Sequence, residues 1–140
     1  HFVFYFFFSC SIEIDYVLRE PVQSELVFGI ALHHNDGTLM FGTNTHIEGV
    51  RFSSEDFGAV TTGTLNFGTV RCDIAEIPFL SGQYWLDVAV HREDGYPYDY
   101  RKRCVHFSLR GGNDQVGRVA LKTSWTQSVS ESRSIGNGES

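Results

Sequence analysis

Along residues 11–16 apolar and polar side chains alternate, with Ile12, Ile14 and Tyr16 against Ser11, Glu13 and Asp15, the period of two that marks a strand with one buried face. Pro21 ends that run. Residues 27–34 and 39–45 form two more apolar stretches around Asn35-Asp36-Gly37-Thr38. An Asp-Gly pair between apolar runs predicts a hairpin, because glycine supplies the positive φ of a tight turn. Residues 48–63, rich in Gly, Ser, Thr and acidic residues, read as a long connection crossing between sheets. Alternation resumes over 65–77, with Val70, Cys72 and Ile74 on one side, until Pro78 and Gly82 make a corner.

After that corner Tyr84, Leu86, Val88 and Val90 alternate with Trp85, Asp87, Ala89 and His91, so one face is core and the other is available. The segment Leu80-Ser81-Gly82-Gln83-Tyr84 has the form of a tyrosine corner, in which a Tyr early in a sandwich strand bonds back to the preceding turn. Glu93-Asp94-Gly95 turns the chain, Val105, Phe107 and Leu109 supply another strand up to Gly111-Gly112, and 116–125 is the candidate last strand. The run Phe2-Val3-Phe4-Tyr5-Phe6-Phe7-Phe8 is read as a strand, being too short for a membrane span and lacking the basic lead-in of a signal peptide. No stretch holds a 3.6-residue apolar period. The expectation is an all-β, immunoglobulin-like antiparallel sandwich over residues 1–127, with residues 128–140, poor in apolar groups, as a disordered tail.

Composition narrows the function. A net charge of −6 argues against a nucleic-acid surface, which needs clustered Lys and Arg to replace counterions. The one basic cluster, Arg101-Lys102-Arg103, reads as a solvated loop. Three widely spaced cysteines, Cys10, Cys72 and Cys104, indicate neither a disulfide framework nor a zinc motif, and fit a reducing compartment.

Enzyme signatures are missing: there is no phosphate-binding Gly-rich loop with Lys-Ser/Thr, no Gly-X-Ser-X-Gly elbow and no His-Glu-X-X-His. Carboxylate pairs such as Asp73 with Glu76, or Asp87 with Asp94, could serve a glycosidase only if one were desolvated, and surface solvation is the plainer reading. His33 and His34 are neighbours on a strand and so point to opposite faces. A cluster of His33, His91 and His106 is conceivable but reads better as exposed sheet histidines, and Asp94 with Asp99 better as a turn than as a calcium loop. Neither cofactor nor metal is expected.

The available face suits a sugar. If Phe28, Ile30 and Leu32 are core, then Gly29, Ala31 and His33 line the other side of their strand. A neighbouring Tyr84 strand adds Trp85, Asp87, Ala89 and His91, the next strand His106 and Ser108, and the hairpin edge Asn44 or Thr43. A floor of Gly and Ala, an aromatic wall and directional polar groups match sugar C–H faces and hydroxyls. The candidate binding residues are therefore His33, Trp85, Asp87, His91, His106, Ser108 and Asn44.

Three stretches, SIEIDY leading to Pro21-Val22, VFGIALHHNDGTLMFGTNT at 27–45 and LSGQYWLDVAVHREDGYPYDY at 80–100, resemble the C-terminal domain of Wzt proteins over roughly residues 11–125. The resemblance implies an immunoglobulin-like domain that recognises the non-reducing end of a bacterial O-antigen polysaccharide in the cytoplasm, at the inner face of the inner membrane. It also implies coupling to export by an ABC transporter, through an ATPase domain preceding this one and a membrane subunit. Homodimers that exchange a terminal strand, here 116–125, are part of the same implication, and terminal methyl or phosphate caps would give Arg51, Arg101 or His91 a reason to lie near the pocket. Two alternatives stay open, a glycan-processing enzyme and a protein-interaction domain whose aromatic face is buried by a partner.

Overall fold

A computed structural model describes residues 1–5, 8–22, 24–52, 63, 65–112 and 114–130. Its elements are β1 (Phe2–Tyr5), β2 (Cys10–Leu18), β3 (Leu26–His34), β4 (Leu39–Asn44), β5 (Asn66–Ile74), β6 (Gly82–Arg92) and β7 (Pro97–Arg110), and no helix occurs among the described residues. The expected connection at 48–63 lies mostly outside the described residues.

Five strands form one sheet in the order β1-β7-β6-β3-β4, and β2 pairs with β5 to face it. The sandwich is as expected, with one difference: β1 runs parallel to β7, so the larger sheet is mixed. The two sheets meet through the residues that alternation marks as apolar. Ile30, Leu32, Tyr84, Leu86, Phe107 and Leu109 are buried together with Ile77 and Phe79, and Ile12, Ile14, Cys72 and Ile74 pack on them from the smaller sheet. Burying each large side chain of this kind contributes roughly 1.5–3 kcal/mol, which fixes which face of β3, β6 and β7 turns inward. A one-residue slip would expose the whole set.

Two local devices hold the frame. The Tyr84 hydroxyl donates to the Leu80 carbonyl at 2.5 Å, the tyrosine corner that the sequence predicts. Burial of this phenol pushes its pKa above the ordinary value. At the β3–β4 hairpin Gly37 has φ 92°, Thr38 N–H donates to Asp36 Oδ1 at 2.9 Å, and Asp36 N–H donates to His34 Nδ1 at 3.1 Å. His34 turns inward, its ring edge-on to Tyr84 with centroids 5.4 Å apart, and His33 turns outward, as adjacent strand residues must.

The segment 116–125 differs from expectation. Val119 makes an isolated bridge to Phe79, Ala120 N–H donates to Pro78 O at 2.7 Å and Ala120 is buried, but no strand forms there. Beyond this anchor Leu121, Trp125 and Val129 are exposed by 62%, 94% and 81%. On the inner side, a cleft of about 1030 Å³ opens between the sheets, lined by β2, by Val88 and Val90 of β6, and by Arg101 and Val105 of β7.

Candidate functional site

The outer face of the larger sheet is laid out by two registers. Across β3 and β6, His33 lies opposite Trp85, Ala31 opposite Asp87, Gly29 opposite Ala89 and Val27 opposite His91. Across β6 and β7, Trp85 lies opposite His106, Gln83 opposite Ser108 and Ala89 opposite Tyr100. On the other flank Asn44 of β4 pairs with Gly29 and Gly42 with Ala31. A strip bearing nothing larger than a methyl group, Gly29, Ala31, Gly42 and Ala89, therefore runs beside an aromatic and polar cluster at Trp85.

Trp85 is half-buried and held from several sides. Its indole N–H donates to Asn35 Oδ1 at 3.0 Å, its ring stacks on His106 with centroids 4.2 Å apart and planes at 21°, and the Arg103 guanidinium sits 5.4 Å from the ring centroid. Cation–π attraction of this kind contributes about 0.5–2 kcal/mol. His1 extends the cluster, with Nδ1 2.8 Å from His106 Nδ1 and Nε2 2.9 Å from Ser108 Oγ. The remaining ring nitrogen of His106, Nε2, is buried without a hydrogen-bond partner among the described residues.

Asp87 is 6% exposed, and the local irregularity of β7 exists around it. Between the pairs Leu86↔Val105 and Val88↔Arg101 the chain takes four steps on β7 against two on β6, and Arg103 adopts φ 51°, a left-handed conformation that costs a non-glycine residue about 1–3 kcal/mol. Asp87 Oδ1 accepts the Arg103 backbone N–H at 2.8 Å and Oδ2 accepts the Tyr100 hydroxyl at 3.1 Å. His33 Nδ1 stands 3.6 Å from Oδ2. The Tyr100 phenol is pushed above its ordinary pKa, first by desolvation and then by its bond to Asp87, so it stays a donor at neutral pH.

Thus His33, Trp85, Asp87, His106 and Ser108 come together, whereas His91 lies six residues along β6 from Trp85 and binds the Arg92 carbonyl through Nδ1 at 2.7 Å. That separation dissolves the conceivable His33–His91–His106 cluster. Asn44 borders the strip, but its Oδ1 accepts Ile47 N–H at 2.8 Å and so caps the following turn. Arg101 pairs with Val88, a core position, and lines the inter-sheet cleft, away from the outer face. Arg51 faces Glu25 at 3.8 Å.

Four members of the cluster escape sequence reasoning: His1, Asn35, Tyr100 and Arg103. Asn35 follows directly on β3, where the sequence pattern marks only a turn. Tyr100 and Arg103 reach the site through the β7 irregularity, which no periodicity announces. The basic run containing Arg103 is strand, where the sequence suggested a loop.

The carboxylate pairs do not form catalytic dyads. Asp73 is exposed, accepts Ser11 Oγ–H at 2.5 Å and Arg71 Nε–H at 2.7 Å, and these bonds hold its carboxyl below the usual range. Asp94 is paired with Arg92 in the β6–β7 turn, beyond the end of β6 and seven residues along the chain from Asp87, which sits in the middle of that strand. Among the described residues no helix is long and apolar enough to cross a membrane.

No curated protein matches the sequence. Among solved structures, one described as "Crystal structure of the C-terminal domain of wzt" superposes with a TM-score of 0.70 at 20% identity, covering 89% of this chain and 72% of the other. At that identity the likeness establishes the fold. The family model described as "Wzt C-terminal domain" matches residues 3–121, the greater part of the chain, and the protein accordingly belongs to the Wzt C-terminal domain family, a non-catalytic carbohydrate-binding family tied to polysaccharide transport.

Proposed function

We propose that the outer face of β3, β6 and β7 binds the non-reducing terminal region of a bacterial O-antigen polysaccharide, and that this binding is coupled to export by an ABC transporter at the inner face of the inner membrane. The observation that carries the reading is the juxtaposition of half-buried Trp85 with the side-chain-poor strip Gly29, Ala31 and Ala89. A pyranose ring fits such a strip with its C–H face towards an aromatic edge, while His33, Asp87, Tyr100 and Asn35 offer directional groups to hydroxyls. Much of the hydrogen bonding around Trp85 is already internal, so the platform is pre-organised and little ordering cost remains for binding.

The polysaccharide partner is tested by saturation-transfer NMR of the purified domain against the host's O-polysaccharide, with a differently capped chain as control. Transfer concentrated at the terminal residue of the cognate chain alone supports end recognition; equal transfer from both chains, or from neither, rejects it. Trp85→Ala is expected to weaken binding about tenfold or more, with the far-ultraviolet circular dichroism and melting transition retained.

A second reading concerns assembly. The described residues of the smaller sheet supply two strands against five, leaving a cleft beside β2. Leu121, Trp125 and Val129 lie at even spacing with Lys122, Ser124, Thr126 and Ser128 between them, a strand pattern that joins no sheet among the described residues. Exchange of this segment between two copies, forming a homodimer, would cover both. Sedimentation of the chain truncated after Arg118 checks it: a truncated protein that remains dimeric excludes the exchange.

A further inference from the structure

We propose that Glu25, His46 and Glu93 form a binding site for a borderline divalent cation, zinc being the best match, at the end of the sheet remote from Trp85. The site is independent of the glycan reading.

Its geometry follows from the register. Leu26 pairs with Arg92 at the last step of the β3–β6 ladder, and one further step sets Glu25 against Glu93. Two carboxylates directly opposed across strands repel. The turn after β4 brings His46 to the same end, because Thr45 N–H donates to Phe28 O at 3.0 Å and Phe28 N–H donates to Thr45 Oγ1 at 3.2 Å, which fixes the residue before it. One ligand atom from each of Glu25, His46 and Glu93 lies within 4.8 Å of the other two. Tetrahedral zinc, with bonds of about 2.0–2.2 Å, holds its ligands roughly 3.4 Å apart, so side-chain adjustment of about an ångström closes the set.

A second observation points to a missing positive partner. The Glu25 side chain is 11% exposed, and its Oε1 is buried with no hydrogen-bond donor among the described residues. Among the described residues its one ion pair is long, Oε2 to Arg51 Nη1 at 3.8 Å. A buried carboxylate oxygen without a donor is costly, and structures rarely tolerate one. A cation between Glu25, His46 and Glu93 would supply the charge and remove the repulsion at once.

The donor set selects the ion. Calcium and magnesium prefer oxygen ligands throughout, whereas an imidazole nitrogen with two carboxylates suits zinc and its first-row neighbours. Three protein ligands leave one tetrahedral position for water, and exposed His46 and Glu93 leave the site open to solvent. The bound ion would clasp three connections, β2–β3, β4–β5 and β6–β7, which the backbone otherwise joins only through the sheet.

The test is calorimetric titration of the chelator-treated full chain with zinc chloride, its thiols first alkylated, since Cys10, Cys72 and Cys104 are free and would compete as ligands. The expected result is one zinc per chain, a raised Tm with zinc, and a loss of affinity of roughly 10–100-fold or more in each of His46→Ala and Glu93→Gln. Both substitutions fall at exposed positions, so folding is retained, and the Tm increase should vanish in both. Absence of saturable binding overturns the proposal, as does binding that both variants preserve, or calcium binding as tightly as zinc.

Discussion

The two halves of β7 differ more than many pairs of separate strands. Residues 105–110 pair with β6 and, from Phe107, with β1 on the other side, and Phe107, Ser108 and Leu109 are buried. Residues 97–104 pair, among the described residues, with β6 alone, are exposed throughout, and break register twice. Periodicity governs the first half because burial enforces it. In the second half nothing enforces regularity, and there Tyr100 and Arg103 are free to reach Asp87 and Trp85. The fold sits on one half of the strand and the candidate site leans on the other.

The sharpest way to break that division is at Phe107. Its ring packs against Tyr84 at 5.6 Å and Phe4 at 5.8 Å between centroids, and Phe107→Ala is expected to cost about 3–5 kcal/mol, read as a drop in the urea midpoint. Asp87→Ala should cost less, about 1–3 kcal/mol, by leaving the Arg103 N–H and the Tyr100 hydroxyl without their acceptor. Its mark is local: amide exchange should accelerate over 100–104 and stay unchanged over 105–110. Equal acceleration along the whole strand would erase the distinction between the halves.

The smallest effect is expected in the turn that leads into β7. Arg92 and the Tyr96 N–H hold the Asp94 carboxyl down to about 2, below its ordinary value near 4. A depressed folded-state pKa stabilises above the unfolded value and loses that contribution as pH falls through the folded one. Asp94→Asn should therefore flatten the acid limb of the melting temperature between about pH 4 and 2, with little change at neutrality. The side chain is exposed, so solvent screening keeps the effect slight.

The same contrast explains what the sequence discloses. Alternation in β2, β3, β5 and β6, the Asp36-Gly37 hairpin and the Tyr84 corner are local patterns set by burial and turn chemistry, and they locate the outer face and its Trp85, Asp87 and His33. Arg103 and Tyr100 are not legible in it, because Arg103 shares the parity of core-facing Val105 and Phe107 and reaches Trp85 only through its left-handed backbone and the two residues that β7 gains against β6. His91 shows the converse: it shares a face with Trp85, but a face is long, and the register separates the two by six residues. The segment 116–125 has strand chemistry, yet among the described residues its pairing stops at the single bridge of Val119 to Phe79.

The parallel union of β1 with β7 carries a temporal consequence. Phe2 pairs with Phe107, and His1 meets His106 across a separation of 105 residues. Contacts so distant in sequence are slow to form, since the intervening loop must close first. During synthesis the first strand emerges early and waits, its aromatic side chains uncovered, until nearly the whole domain has left the ribosome. Its docking completes the larger sheet, and until then the uncovered aromatic side chains of β1 are open to aggregation.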